Sequence, residues 1–257
     1  LLGTSLVLAV RATYPRLLYP APQSDPFSPA EGTLLSLRAR DGANVLATQF
    51  SGLPGAPVLV YFHGNGVAMG GVLWMAREFV NRGVGVVLAE YRGYGLSAGS
   101  AAPAPSEAGL YADAEAIFAE LSLQGIGPER IALFGESLGT GVAVEMALRG
   151  HGAALVLVTP YTSIPAVASR FVFGLPVQLL MSERFDSFSK APRVTLPALL
   201  LHGTADSVVP YAMSVRLEKA FPRARLITVA GGHHNDLFLG AGARFFDEVS
   251  DFVRHPR

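Results

Sequence analysis

The stretch that most limits how this chain can fold is Arg130–Gly141, RIALFGESLGTG. Ile131–Phe134 is a short apolar run that reads as a buried strand, and Val142–Leu148 is composed of good helix formers. Between them, Gly135-Glu136-Ser137-Leu138-Gly139 has to turn the chain sharply. A strand, a G-x-S-x-G turn and a helix in direct succession lift a serine hydroxyl clear of a sheet. The flanking glycines leave the room such a turn needs to close. The helix starts at the serine, so its free N–H groups and positive end face any negative charge that develops there.

A second match, Gly95-Leu96-Ser97-Ala98-Gly99, tests this reading. It also follows a strand-like run, but it leads into Ser100-Ala101-Ala102-Pro103-Ala104-Pro105, where no helix can start directly. Context therefore selects Ser137 over Ser97.

Strand and helix patterns alternate along most of the chain. Leu34–Arg38 and Val45–Ser51 flank a turn at Arg40–Ala43 and predict an antiparallel hairpin. Val58–Phe62, Val84–Ala89, Ala154–Val158, Ala198–Leu201 and Arg225–Val229 are apolar runs of the kind found in strands covered on both faces. Helical patterns fall at about 72–82, from Ser106 to Leu121, at Tyr211–Ala220 and at Phe238–Val253. The pattern predicts an α/β fold with a mostly parallel sheet and helices on both faces. Residues 164–195 break the alternation with apolar patches and predict a small mobile cap. Ligands in such folds sit at the carboxyl ends of the strands, where every polar cluster of the chain falls.

Composition narrows the function. The chain has 257 residues, half of them hydrophobic, enough for one large domain with a substantial core. Equal basic and acidic counts leave no basic field for a nucleic-acid partner. The absence of cysteine excludes a thiolate nucleophile, and the six histidines include no HExxH pair, so no metal site is expected. Asn65–Gly71 is glycine-rich but lacks dinucleotide-binding spacing, and no cofactor is expected. Leu1–Val10 is apolar but about half the length of a membrane span. With Arg11 and Arg16 following, it reads as an anchor remnant that would associate the chain with a membrane; a surface helix is the alternative. Location stays open between membrane-associated and cytoplasmic. The proline-rich stretch Tyr14–Pro29 reads as an extended arm, giving an N-terminal segment 1–29 and a domain 30–257.

Ser137, Asp206 and His234 each follow a predicted strand, in the order Ser, Asp, His. A serine hydroxyl needs a neutral imidazole to take its proton, and a carboxylate to orient that imidazole and stabilise its charged form. Two N–H donors must also meet the oxyanion. Leu138, next to the nucleophile, supplies one, and Asn65 in His63-Gly64-Asn65-Gly66 supplies the other. Asp236 and Asp186 rival Asp206, and His233 rivals His234. His63 and His202 are expected to brace their loops, and Arg92 to anchor one. Trp74, Met75, Phe171, Phe173, Leu179, Leu180 and Met181 either line an acyl pocket or belong to the core.

At this point the chain resembles a known group. The segments YFHGNG (61–66), EYRGYGLSAG (90–99), PSEAGLYADAEA (105–116), FGESLGTGVAVEMA (134–147), TPYTSI (159–164), RFDSF (184–188), LHGTADSVVP (201–210) and HND (234–236) resemble the Bem46-like α/β-hydrolases. That group includes the alpha/beta hydrolase domain-containing proteins 12, 13 and 17 and is often labelled serine aminopeptidase-like. The resemblance runs from about Tyr19 to the last helix. It implies an α/β-hydrolase fold and a Ser-Asp-His hydrolase acting on small acyl or lipid-like esters or thioesters, often tethered by an N-terminal segment. It also selects His234, the histidine directly before Asn235-Asp236. Glu136 stands where relatives often carry a basic or other polar residue, and His233 is an extra histidine. The alternatives are a peptidase of the same fold and a non-catalytic interaction domain.

Overall fold

The computed structural model describes residues 13–22, 32–98, 103–172 and 176–256, leaving aside the side chains of 239–241. The apolar segment 1–10 and Phe173 lie outside the described residues. Among those described, no helix is long and apolar enough to cross a membrane.

One eight-stranded sheet organises the molecule, in the order β1-β2-β4-β3-β5-β6-β7-β8. β1 (Thr33–Arg38) and β2 (Asn44–Phe50) form the antiparallel hairpin, in register from Thr33↔Gln49 to Arg38↔Asn44. β2 also runs antiparallel to β4 (Gly85–Glu90). From there, β3 (Val58–Phe62), β5 (Ile131–Glu136), β6 (Ala154–Val158), β7 (Ala198–Gly203) and β8 (Ala224–Val229) continue in parallel. The side chains of β3, β4, β6 and β7 are buried throughout. That explains their unbroken apolar sequence: both sheet faces are covered.

The helices are α1 (Leu73–Val80), α2 (Glu107–Leu123), α3 (Leu138–Leu148), the short α4 (Ile164–Ala168), α5 (Val177–Leu180) and α6 (Ser187–Lys190), then α7 (Tyr211–Ala220) and α8 (Leu237–Arg254). α8 leaves helical geometry at Gly242. α2 starts at Ser106, whose hydroxyl accepts the Gly109 N–H at 3.1 Å, a side-chain N-cap. Two apolar cores result. α2, α3 and α7 bury Leu110, Val142, Met146 and Leu217 against one face; α1 and α8 bury Met75, Phe79, Phe245 and Val249 against the other.

This layering removes two residues from the expected acyl pocket. Met75 is buried in the α1–α8 core, and Trp74 meets Phe238 and Phe246 edge-on, each at 5.9 Å. The segment expected as a cap has two parts. Phe185, Ser187, Ala191 and Val194 are buried, and α6 packs on α3 and α7, so the second half of 164–195 is built into the body. The first half is different: Phe171 is 66% and Leu179 73% exposed.

The arm is not simply extended. Residues 13–18 are helical, and Tyr19 is buried in the first core. The Tyr19 hydroxyl donates to Glu183 Oε2 at 2.6 Å, and Gly95 N–H donates to the Pro22 carbonyl at 2.8 Å. A proline at position 15 suits a helix's first turn, where an N–H has no partner to lose.

Candidate active site

The strand ends converge on Ser137. Its backbone sits at φ 47°, ψ −115°, a left-handed conformation that costs a non-glycine residue energy and persists only where the surroundings enforce it. Ser137 N–H donates to the Val158 carbonyl of β6 at 2.9 Å, and Thr140 Oγ1–H donates to the Ser137 carbonyl at 2.7 Å. The flanking glycines have a direct steric cause. A Cβ at Gly139 would overlap the Phe62 carbonyl, and one at Gly135 would come within 2.6 Å of Thr140 Cα.

His234 lies in the loop after β8 with its Nε2 2.9 Å from Ser137 Oγ and its Nδ1 2.7 Å from Asp206 Oδ2. Asp206 follows β7, and its Oδ1 accepts the N–H groups of Val208 and Val209, each at 2.8 Å. Burial alone would push the Asp206 carboxyl up, but hydrogen bonds from His202 and His234 and the attraction of His234 hold it well below the usual carboxylate range. It is therefore ionised near neutral pH, as a partner of an imidazole must be.

The rival residues are occupied elsewhere. His233 Nδ1–H donates to the Ala205 carbonyl at 3.0 Å, stitching the β8 loop to the Asp206 loop. Asp236 accepts the His233 N–H at 2.6 Å, and Asp186 caps α6 through the Ser189 N–H at 3.1 Å. Ser97 Oγ has no hydrogen-bond partner among the described residues. It sits in a single 3-10 turn, and Ala98 after it is extended.

The loop after β3 forms the facing wall. The Asn65 side chain is held at both ends: Nδ2–H donates to the Leu18 carbonyl, while Oδ1 accepts Tyr94 O–H at 2.8 Å and Gly66 N–H at 3.1 Å. These bonds fix the side chain toward the arm and Tyr94, and the backbone N–H of Asn65 is the donor left on the loop itself. Leu138 is the first residue of α3, so its N–H has no partner one turn back. Behind the loop, His63 and Glu90 are wholly buried, with Nε2 and Oε1 3.3 Å apart but not aligned for a hydrogen bond. His63 Nδ1 contacts the Gly64 carbonyl at 2.9 Å, and Tyr91 O–H donates to the His63 carbonyl at 3.0 Å. Arg92 anchors its loop, with its guanidinium on Asp113 at 2.7 Å and on Asp41 at 2.5 Å.

A cavity of about 330 Å³ opens on these groups, lined by Ser137, Leu138, Gly64, Asn65 and His234 together with Leu18, Val67, Tyr161, Ile164, Val167, Val208 and Val209. Phe171, Leu179, Leu180 and Met181 do not line it. Leu180 is buried away from it. The apolar lining instead comes from places whose sequence carries no such signal: the arm, the start of α4 and the turn after Asp206. Tyr161 was visible only as part of TPYTSI; its O–H donates to the Leu138 carbonyl at 3.1 Å, bracing the elbow.

Glu136 also reaches the cavity. Burial pushes its carboxyl above the ordinary range, opposed by the Tyr61 O–H that donates to Oε2 and by His234 and His63 nearby. Among the described residues, no group of His, Asp or Glu side chains is arranged to hold a metal ion.

This sheet, with a serine elbow and an imidazole at its carboxyl edge, defines an α/β-hydrolase. The family model described as "Serine aminopeptidase, S33" matches residues 55–185, and one described as "TAP-like protein" matches 180–257. An uncharacterized protein of Mycobacterium tuberculosis, Rv2307c, is 33% identical over 262 residues, covering 98% of this chain and 92% of that protein. Alpha/beta hydrolase domain-containing protein 17C of Xenopus tropicalis is 34% identical over 209 residues, covering 79% of this chain but only 63% of its own length. The chain belongs to the α/β-hydrolase family that the serine aminopeptidase S33 model describes, and it is similar to these 17-type relatives. Among solved structures, the Pyrococcus furiosus esterase Pf2001 is similar with a TM-score of 0.74 at 16% identity, covering 91% of this chain and 98% of that one. At that identity the likeness is one of fold.

Proposed function

We propose that this hydrolase cleaves carboxylic esters or thioesters of small acyl or lipid-like substrates through an acyl-Ser137 intermediate. The observation that carries the proposal is the unbroken path Ser137 Oγ–His234 Nε2–His234 Nδ1–Asp206 Oδ2, with contacts of 2.9 and 2.7 Å. His234 takes the Ser137 proton as Oγ attacks the carbonyl carbon, and Asp206 stabilises the imidazolium that forms. The N–H groups of Leu138 and Asn65 receive the oxyanion. His234 then returns the proton to the leaving alcohol or thiol, and water repeats the sequence to free the acid. The apolar walls of the cavity favour an acyl chain over a charged side chain.

A second reading, a peptidase, is favoured by Glu136, the carboxylate that lines the cavity beside the nucleophile among the described residues and could meet a substrate amine. Its burial weighs against that role because burial favours the neutral form, and the Tyr61 O–H, though it favours the ionised form, already occupies Oε2.

The test combines fluorophosphonate labelling with two substrate panels, p-nitrophenyl esters and aminoacyl amides. The expected adduct is on Ser137, absent from Ser137→Ala and unchanged in Ser97→Ala, with turnover confined to the esters. Labelling at Ser97 would refute the site, and preferred cleavage of amides would refute the ester reading.

A further inference from the structure

Asp206 is held from a second side by a residue outside the Ser137–His234–Asp206 path. His202, near the end of β7, is wholly buried. Its Nε2 lies 3.0 Å from Asp206 Oδ2 and 3.0 Å from the Val209 carbonyl. A carbonyl can only accept, so Nε2 carries a hydrogen. On the other side of the ring, Nδ1 lies 2.5 Å from Ser214 Oγ on α7. The same hydroxyl has only a longer contact, 3.4 Å, with the Pro160 carbonyl. In a neutral imidazole with its hydrogen on Nε2, Nδ1 is an acceptor, and the short contact is then Ser214 O–H donating to it. Both ring nitrogens are satisfied, as a fully buried polar ring requires.

The consequence falls on a single oxygen. Asp206 Oδ2 accepts from His234 at 2.7 Å and from His202 at 3.0 Å, while Oδ1 takes the two backbone N–H groups. Ser137, His234, Asp206, His202 and Ser214 form one continuous hydrogen-bonded chain with the carboxylate at its centre. We propose that His202, held in its Nε2–H form by Ser214, is a positioning residue that fixes Asp206 and sets how strongly it pulls on His234. This rests on the serine-hydrolase reading above.

The physical argument has two parts. A carboxylate clamped by donors on both oxygens cannot rotate, so His234 meets it in one orientation. A donor on Oδ2 also draws charge from that oxygen, which limits how strongly Asp206 stabilises an imidazolium formed on His234. The charged and titratable groups concerned are Asp206 between the two histidines, and Glu136 within electrostatic reach of His234. Tyr211 presents its ring edge-on to His202 at 5.9 Å between centroids.

The experiment uses the whole chain and three variants, His202→Leu, His202→Gln and Ser214→Ala, each checked by thermal melt. The kcat/KM of a p-nitrophenyl ester is followed against pH. His202→Leu should lower kcat roughly 10- to 100-fold with KM little changed, the kinetic scale of one hydrogen bond to a charged group. It should also move the acid limb to higher pH, a change that loss of packing alone would not produce. His202→Gln places an amide N–H near the same oxygen and should recover most of the rate and restore the limb. Nitrogen-15 NMR on the resting protein should find His202 with its hydrogen on Nε2. The His234 Nδ1–H resonance should move in both His202→Leu and Ser214→Ala, the latter serving if the leucine variant fails to fold.

Equal losses in the leucine and glutamine variants with no movement of the limb would overturn the proposal. So would a hydrogen on His202 Nδ1 with Nε2 bare. The NMR readings need no turnover. If the wild type hydrolyses no ester while the tautomer and resonance shifts are as expected, the hydrogen-bonded chain stands and the serine-hydrolase reading fails.

Discussion

Ser137 Oγ and His234 Nε2 lie 2.9 Å apart across 97 residues of sequence. Ser137 follows β5 and His234 follows β8, three strand positions away in the sheet. Strands are spaced by about 4.8 Å, so the loop after β8 reaches back over roughly 14 Å. It is held there by the Asp206 loop beneath it. Ala205 N–H donates to the Gly232 carbonyl at 3.0 Å, and Gly231 N–H donates to Thr204 Oγ1 at 2.9 Å.

That stitching bears on the two adjacent histidines. His234→Ala should lower kcat on the order of 10⁴-fold, the scale of disabling a triad's base or orienting acid. His233→Ala loses only the bond to Ala205 and should cost far less. Ester turnover of both variants, with melts to confirm folding, checks this; a dead His233→Ala beside an active His234→Ala would move the base by one residue.

The ionised state of Asp206 predicts a stability change in acid. Its pKa is depressed in the folded protein, so it stabilises the fold above its unfolded value, near 3.9. That contribution declines as the pH falls below about 4 toward the lower folded value. The difference in melting temperature between wild type and Asp206→Asn should therefore shrink as the pH is taken from 5 toward 2.5, in ~0.5 steps below the unfolded pKa. A difference that stays constant over that range would contradict the assignment.

Acyl preference should respond to Val167 and Ile164, which line the cavity. Val167→Phe should reduce turnover of long-chain p-nitrophenyl esters on the order of tenfold or more while sparing the acetate, since each methylene in such a pocket is worth about 10- to 200-fold in rate. Leu180→Ala, which empties a buried position away from the cavity, should lower the melting temperature and affect all chain lengths alike. A chain-length shift in Leu180→Ala with none in Val167→Phe would reverse the assignment of the pocket wall.

Arg92 and Asp113 are both almost fully buried, and the second partner, Asp41, is half exposed. Arg92→Ala leaves the Asp113 carboxyl without its buried counter-charge and should destabilise the protein by about 3–5 kcal/mol. Urea denaturation measures it, and a loss below about 1 kcal/mol would show that solvent reaches Asp113 in the variant.

Local chemistry was enough to determine the strands and the longer helices, but not the helical turn at 13–18 or the short α4, α5 and α6. The apolar runs of β3, β4, β6 and β7 lie in a sheet covered on both sides, and no other setting suits five or six consecutive buried residues of that kind. The constraint on Gly139 comes from the Phe62 carbonyl of β3, whereas Gly135 was legible because a Cβ there would meet Gly139 and Thr140 within the same turn. The order of Ser137, Asp206 and His234 was legible for a similar reason, since each follows its own strand. Tertiary structure decided what no stretch contains. Whether His233 or His234 faces Ser137 depends on a loop stitched to another loop. Met75 proved to be core, and Trp74 a half-exposed ring against Phe238 and Phe246, because α1 lies against α8; Leu18 joined the cavity because Asn65 holds its carbonyl. Ser214 meets His202 only because α7 packs on β7. Periodicity and turn chemistry act over a few residues, whereas these contacts join side chains far apart in sequence, and their partners are chosen when the sheet closes and its layers pack.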